Sequence, residues 1–155
     1  MKKLILFGLV ILLSISLQAQ EKKEVNVSEK VKIEFAKLYP NAKDVKWSKY
    51  SERTNALFIQ EGKQFVAVFF ADTLFAKIIQ IEIVALPEPV KKHLDKYYKD
   101  YSILRAVKLH FVSKPDKKNI AYGADITNRT ISKRIVCYPN GKEMTTSYLT
   151  DEKMN

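Results

Sequence analysis

The side chains of this chain best suited to catalysis or metal binding are His93, His110 and Cys137. Nucleophilic catalysis needs a nucleophile, a base and an orienting group that converge, and a zinc site needs three or four ligands. His93 stands among lysines in a helix-like segment, His110 lies on the polar side of a strand-like run, and Cys137 lies in an apolar run. No recognised catalytic, zinc or phosphate-binding motif accompanies them. We therefore expect no catalytic residues, no metal and no cofactor, and we predict that the chain is not an enzyme.

The single cysteine also limits how the chain is stabilised. Many small secreted domains are held together by disulfides, but Cys137 has no second cysteine in the chain with which to pair. A composition that is 46% hydrophobic favours stabilisation by burial instead. We expect Cys137 to act as a small buried hydrophobe and not as a reactive thiol.

The first residues have the pattern of an export signal. Two lysines are followed by an uncharged apolar run, residues 4–17, and then by Ala19. The run is shorter than the roughly 18–20 residues that a membrane span needs, which disfavours an uncleaved anchor. Residues 1–19 are therefore predicted to be a signal peptide, 20–27 a flexible leader and 28–155 a single domain. We expect an exported protein, periplasmic or secreted, with no membrane span after cleavage.

The charge of the chain is strongly basic and unevenly distributed. The net charge is +10, and removal of Lys2 and Lys3 with the signal peptide lowers it to +8. Residues 87–155 carry six of these eight charges. Such an excess favours an acidic partner, either an envelope protein or an acidic surface, although lysines also serve solubility alone. Nucleic acid is not expected as a partner, because an exported protein rarely meets it. The oligomeric state stays open.

The spacing of apolar residues predicts a helix followed by four strands, twice. Ser28 is a plausible helix N-cap, Leu86-Pro87 begins the second helical segment, and Asn140-Gly141 is the strongest hairpin signal in the chain. Three apolar positions of the first helix match three of the second at an offset of 59 residues: Val31, Phe35 and Tyr39 against Val90, Leu94 and Tyr98. We therefore predict an α+β fold of two tandem repeats, each a helix plus a four-stranded antiparallel sheet, over about residues 28–85 and 86–150.

Two motifs carry a resemblance to a known family. The run from Phe35 to Trp47 (FAKLYPNAKDVKW) and the later Leu86-Pro87-x-x-Val90 resemble the PepSY-like family of small exported bacterial proteins, which is related in fold to β-lactamase-inhibitor proteins (BLIP). The resemblance covers essentially the whole mature chain. It implies a tandem helix-plus-sheet fold, a location outside the cytoplasm and a binding or inhibitory role without catalytic residues. Many members have a glycine in the turn after the third strand, where this chain has Ala71-Asp72.

The strands over residues 55–60 and 64–70 are apolar on both faces. One face can pack on the helix, while the other must pack between the repeats or be exposed, and an exposed aromatic patch would be a partner site. The candidate partner-binding residues are an aromatic group and a basic group: Trp47, Tyr50, Phe58, Phe65 and Phe69, and Lys92, Lys96, Lys108 and His110.

The sequence thus favours a non-enzymatic binding protein. The leading hypothesis is a modulator or inhibitor-like partner of another envelope protein. The alternative is a carrier or sensor of a small apolar ligand in the periplasm, held between the sheet and the helices.

Overall fold

The computed structural model describes residues 25–112 and 119–149. The described residues form two α-helices, a short 3-10 helix and eight strands. In chain order they are α1 (Glu29–Leu38), β1 (Lys43–Tyr50), β2 (Arg53–Gln60), β3 (Lys63–Phe70), β4 (Thr73–Ile81), the 3-10 helix (Ile83–Ala85), α2 (Glu88–Tyr97), β5 (Ser102–Phe111), β6 (Ile120–Thr127), β7 (Ser132–Cys137) and β8 (Glu143–Tyr148). None of the helices described is long and apolar enough to cross a membrane. The predicted signal peptide lies outside the described residues.

The eight strands form one continuous antiparallel sheet in chain order, β1 to β8. Strands β4 and β5 pair directly over six positions, from Ala76 opposite Phe111 to Ile81 opposite Ala106. The prediction of two tandem repeats, each with its own four-stranded sheet, is therefore wrong. The 3-10 helix and α2 return the chain alongside β4, and pairing with β5 satisfies the N–H and C=O groups that a free β4 edge would expose.

The start of α1 is fixed by Ser28. The Ser28 side-chain oxygen accepts the backbone N–H of Val31 at 3.3 Å, as an N-cap does, and its hydroxyl donates to Asp72 Oδ1 at 2.8 Å. The residues just before it are packed, since Val27 is buried and Val25 lies against the same core. Residues 25–27 of the predicted flexible leader therefore contribute apolar surface to the core. Residues 20–24 lie outside the described residues.

Both helices lie on the same face of the sheet and cover separate parts of it. Helix α1 covers an aromatic cluster whose buried members are Val27, Val31, Phe35, Tyr39, Ala56, Phe58, Ala67 and Phe69. Helix α2 covers an aliphatic cluster whose buried members are Leu86, Val90, Leu94, Ala106, Ala124, Ile126, Ile135 and Cys137. The sheet face opposite the two helices is called the open face below.

Two hairpin turns illustrate how local chemistry shapes the sheet. Gly141 has φ +82 in the turn between β7 and β8, so the hairpin predicted from Asn140-Gly141 is confirmed. The turn between β3 and β4 closes without a glycine, since Ala71 and Asp72 both have positive φ, 45 and 64. Alanine has no side-chain hydrogen bond to favour this conformation, so the turn is strained at Ala71.

Candidate functional site

The predicted aromatic patch lies mostly in the protein interior. Phe58 is 1% exposed and Phe69 is fully buried. The Phe58 ring lies 5.1 Å from that of Phe35 and 4.7 Å from that of Tyr39, and Trp47 packs edge-on against Phe35 at 5.1 Å. The expectation that Phe58 and Phe69 are surface anchors is therefore wrong, because they belong to the core beneath α1.

The register of β2 and β3 explains this arrangement. Ala56 lies opposite Ala67 and Phe58 opposite Phe65, and all four point toward α1. Side chains alternate between the faces of a strand, so the residues between them must point to the open face. The sequence showed two apolar faces, and the structure assigns the aromatic one to the helix and the aliphatic one to the open face.

The open face has an aliphatic centre that spans β2 to β5. The register places seven aliphatic side chains and one aromatic side chain, Phe70, there, and we refer to all eight as the aliphatic centre. The eight residues are Leu57, Ile59, Val66, Val68, Phe70, Ile78, Val107 and Leu109. Phe70 is 50% exposed and Ile59 is also exposed. No described helix packs on this face, since both apolar clusters beneath the helices lie on the other side. The other members are half-buried except Val68, which is buried. An apolar surface that no helix covers is typical of an interaction site.

A charged cluster borders this aliphatic centre. Arg105, Asp125 and Arg134 lie opposite one another on β5, β6 and β7. Arg105 donates from Nε to Asp125 Oδ2 at 2.9 Å, and its Nη2 forms an ion pair with the same oxygen at 2.7 Å. Arg134 donates from Nε to Oδ1 at 2.6 Å and from Nη2 to Oδ2 at 2.8 Å. The carboxylate is thereby held by three charge-assisted hydrogen bonds and one further ion-pair contact.

The burial of the cluster is uneven. Asp125 is 5% exposed, whereas the side chains of Arg105 and Arg134 are 30% and 34% exposed. Burial alone would raise the pKa of Asp125, but the hydrogen bonds and charges of Arg134 and then of Arg105 outweigh it and hold this pKa below its ordinary value. The cluster therefore carries two positive charges and one negative charge, with the positive groups nearer solvent.

An open cleft of about 400 Å³ adjoins Arg105, at one end of β3, β4 and β5. Its charged lining residues are Lys63, Glu82 and Arg105, and Gln64 and Gln80 add neutral polar groups. Ile81, Ile83, Leu104 and Ala106 form its apolar lining. The cleft is therefore a mixed, solvent-connected recess beside the aliphatic centre, large enough to receive a side chain from a partner.

The predicted basic group lies on the other side of the sheet. Lys92 and Lys96 are exposed on α2. Lys108 and His110 are register partners of Ile79 and Lys77 and share the helix-covered side of the sheet with Ala106. The helix lysines and the strand residues belong to different elements, and neither pair lies on the open face.

Among the nine predicted partner-binding residues, the register assigns only Tyr50 to the open face. Tyr50 is exposed and lies opposite Arg53 at the end of β1. Phe65 is half-buried and packs with Phe58 on the helix side, their rings 5.6 Å apart.

A second polar cluster joins α2 to β8. The carboxylate of Glu143 accepts a hydrogen bond from the Tyr98 hydroxyl at 2.9 Å and lies 3.0 Å from His93 Nε2. Burial raises the pKa of Cys137 to about 11, and the charge of Glu143 adds to the effect, so the thiol stays protonated. His93 is thus a hydrogen-bond partner of Glu143, and Cys137 is a core residue. Within residues 25–112 and 119–149, no three His, Cys, Asp or Glu side chains are grouped as metal ligands.

Sequence reasoning missed the Arg105–Asp125–Arg134 cluster. Its one local signal is Asp125, which follows Ala121 and Gly123 at every second position of β6 and is charged where they are small and apolar. The two arginines lie 20 and 9 residues away from Asp125, and only the strand register brings them to it.

Comparison with known proteins identifies the fold. No family model matches the sequence, and no curated protein matches it. A solved structure from Bacteroides eggerthii, provisionally described as periplasmic, superposes with a TM-score of 0.68 at 18% identity over 81% of this chain and 91% of that one. A DUF2874 family protein from Bacteroides uniformis gives 0.67 at 16% identity, covering 79% and 90%. A BLIP-like protein from Bacteroides fragilis gives 0.61 at 17% identity, covering 83% and 91%.

These likenesses show the fold alone, because all three identities are below one fifth. They confirm the relation to BLIP-like proteins that the sequence resemblance implied, although the fold is a single eight-stranded sheet with two helices on one face and not a tandem of two sheets. The more specific PepSY-like assignment stays a prediction.

Proposed function

We propose that this chain is an exported, non-catalytic protein that binds another protein of the cell envelope through the open face and modulates or inhibits it. The observation that carries the proposal is the aliphatic centre of the open face, whose exposed members Ile59 and Phe70 lie outside both helix-covered clusters. Large apolar side chains in such a position are stabilised when a partner removes them from water.

Export is supported by two independent observations. The chain begins with two lysines, a short apolar run and Ala19, the pattern of a signal peptide. One structure with the same fold is provisionally described as periplasmic, and another is described as BLIP-like. A small domain with a preformed sheet surface suits the role of a binding module.

The alternative function, carriage of a small apolar ligand, has less support. The proposed place for such a ligand was between the sheet and the helices, where the aromatic and aliphatic clusters pack. The described cleft of about 400 Å³ is open to solvent and is lined by charged as well as apolar side chains, whereas small-molecule sites are mostly enclosed and apolar. Native mass spectrometry of the purified protein tests this alternative, and a co-purifying small molecule would favour it.

Site-specific photo-crosslinking tests the proposed function. A photoreactive amino acid is placed at Ile59 on the open face or at Ile33, which is 67% exposed on the outer side of α1. Both variants are expressed in the envelope of the producing cell and irradiated. We expect one discrete crosslinked protein from position 59 and none from position 33.

The matched substitutions are Ile59→Glu and Ile33→Glu. The first should abolish the crosslink from a probe at Phe70, because a charge in the aliphatic centre must be desolvated when the partner docks. The second should leave that crosslink intact. Equal crosslinking from both faces, or a crosslink indifferent to Ile59→Glu, would remove the basis of the proposal.

A further inference from the structure

We propose that Arg105 and Arg134 form a receptor for a carboxylate of the binding partner, and that the partner segment is an acidic peptide with an apolar residue beside its acid. This inference rests on the proposed function and deepens it, since it assigns the chemistry that the open face recognises. It concerns a cluster that the sequence analysis did not find.

The first argument is the charge of the cluster. Two guanidinium groups share one carboxylate, which leaves one positive charge unmatched at a position that is only about one third exposed. A guanidinium carries five N–H donors. Arg134 directs two of them to Asp125, and Arg105 turns its Nε and Nη2 toward the same carboxylate, so the Nη1 groups of both arginines remain for another acceptor. A second carboxylate would balance the charge and satisfy donors in a forked geometry.

The second argument is that Asp125 keeps the arginines in place. Its carboxylate is buried on β6, between the two strands that carry them, so the guanidinium groups are oriented before a partner arrives. Preorganisation lowers the entropy lost on binding. A partner's carboxylate should not displace Asp125, because loss of its contacts would leave two partly buried cations without their counter-charge.

The third argument is the surrounding charge on the open face. Within the described strands, Asp125 is the one acidic residue that the register assigns to this face, and it is already paired. Further basic residues on the same face are Lys46 and Arg53. The cleft beside Arg105 adds Lys63 and Glu82, which offset each other. The face is therefore positive around an aliphatic centre, which complements an acidic segment with an apolar anchor.

A second copy of this chain fits less well. The chain has a net charge of +10, and the open face is itself basic, so two open faces would repel each other. A peptide segment that carries both an acid and an apolar side chain can use the arginine pair and the aliphatic centre at once.

The test uses random dodecapeptides displayed on phage, selected against the mature protein and then synthesised. We expect the selected peptides to contain Asp or Glu next to an apolar residue, and their affinity to fall with salt. Arg105→Gln should weaken binding about tenfold or more, because a charge-assisted hydrogen bond is lost. Arg134 still pairs with both oxygens of Asp125 in this variant, so the fold is retained.

The controls separate charge from geometry and position. Arg53→Gln removes a positive charge from the same face away from the cluster and should change the affinity less than twofold. Arg105→Lys keeps the positive charge but lacks the forked donors of a guanidinium group. Its loss of peptide affinity should lie between those of Arg53→Gln and Arg105→Gln. Replacing the acidic residue of the peptide by its amide should reduce the affinity as much as Arg105→Gln does. The two changes together should reduce the affinity little more than either one alone, as expected when the two groups contact each other directly.

Any one of the following outcomes would overturn the inference. Selected peptides that need Ile59 but contain no acid, or that ignore Arg105→Gln, would refute the carboxylate receptor while leaving the proposed function intact. Competition by millimolar inorganic phosphate, without any acidic peptide being selected, would assign the arginines to a free anion. Dimers in sedimentation that disappear with Arg105→Gln would assign the face to a second copy. Peptides insensitive to both Ile59→Glu and Arg105→Gln would contradict the proposed function as well.

Discussion

The two ends of the sheet have similar elements but are stabilised by different interactions. Beneath α1, aromatic rings pack on one another, and the buried side chains of that cluster are apolar. The part of the sheet covered by α2 combines an aliphatic cluster with two networks of charged and polar groups. One network surrounds Asp125 on the open face, and the other surrounds Glu143 on the helix side.

This difference has consequences for how each end responds to change. Apolar packing is non-directional and insensitive to pH, so the contribution of the aromatic cluster beneath α1 should depend on the volume of its side chains. Hydrogen-bonded charges need particular partners and protonation states, so the α2 end should depend on pH and on individual atoms. The predictions below use this contrast, beginning with the largest effect.

Phe58→Ala should destabilise the protein by about 3–5 kcal/mol, because it leaves a cavity among the rings of Phe35, Tyr39 and Phe65. Urea unfolding measures the change, and its size should be the same at pH 7 and pH 4. Tyr50→Ala, at an exposed aromatic on β1, serves as the control and should cost less than about 0.5 kcal/mol. A strong pH dependence of the Phe58→Ala effect would contradict the purely apolar description of the α1 end.

Gly141→Ala and Gly62→Ala compare hairpin turns at the two ends. Both glycines have positive φ, but a Cβ at Gly141 would clash with the backbone oxygen of Pro89, whereas nothing lies within 4 Å of one at Gly62. We expect Gly62→Ala to cost about 1 kcal/mol, from the left-handed backbone alone. Gly141→Ala should cost about 2–4 kcal/mol, since the hairpin must also move away from the start of α2. Equal costs in thermal unfolding would show that the hairpin does not contact α2.

Acid should weaken the α2 end first. Burial alone would raise the pKa values of Asp125 and Glu143, but hydrogen bonds hold both pKa values below their ordinary values. Those to Asp125 come from Arg134 and Arg105. Those to Glu143 come from Thr146, His93 and Tyr98.

A carboxyl group whose folded pKa is depressed contributes stability above its ordinary pKa and loses it as the pH falls through the folded value. Stability should therefore decline from about pH 5 downward. Hydrogen exchange at pH 3, corrected for intrinsic rates, should show β6 to β8 opening before β2 and β3. Glu143→Gln should reduce this pH dependence, and earlier opening of β2 would refute the assignment.

Ala71→Gly should stabilise the protein by about 1 kcal/mol. Alanine at φ 45 is strained, and glycine adopts that conformation without a steric penalty. Asp72→Gly is the contrasting variant, because the same relief of strain is offset by loss of the hydrogen bond from Ser28 to Asp72 Oδ1. The midpoint of thermal unfolding should rise for the first variant, and a fall would contradict the strain assigned to this turn.

Reversal of the α2 lysines should have the smallest effect. Lys92→Glu with Lys96→Glu changes charges on the side of the sheet away from the open face. We expect partner affinity to change less than about threefold and only through the association rate. These lysines do not contact a partner on the open face and can act on it only by long-range electrostatic attraction. Surface plasmon resonance with the crosslinked partner measures both rates. A larger loss that acts on dissociation would place the partner on α2 and restore the basic group predicted from the sequence.

Local features of the fold were predictable from the residues nearby. The Ser28 cap and the Asn140-Gly141 hairpin depend on groups within a few positions of each other. The three apolar positions on each helix do face the sheet, since helical spacing alone brings them to one side.

The features that matter for the candidate site depend on residues far apart in the chain. Strands apolar on both faces do not reveal which face a helix will cover, so Phe58, Phe65 and Phe69 were candidate partner-binding residues although they lie beneath α1. Pairing of β4 with β5 spans 25 to 35 positions, and no local pattern distinguishes one sheet from two.

The sequence alone therefore determined the elements, their order and the apolar face of each helix. The tertiary structure decided that the sheet is continuous, that its aliphatic face is open and that Arg105 and Arg134 meet at Asp125. The physical reason is range: capping, turns and periodicity arise from neighbours in the chain, whereas strand register and ion pairing arise from contacts that exist only after the chain has folded.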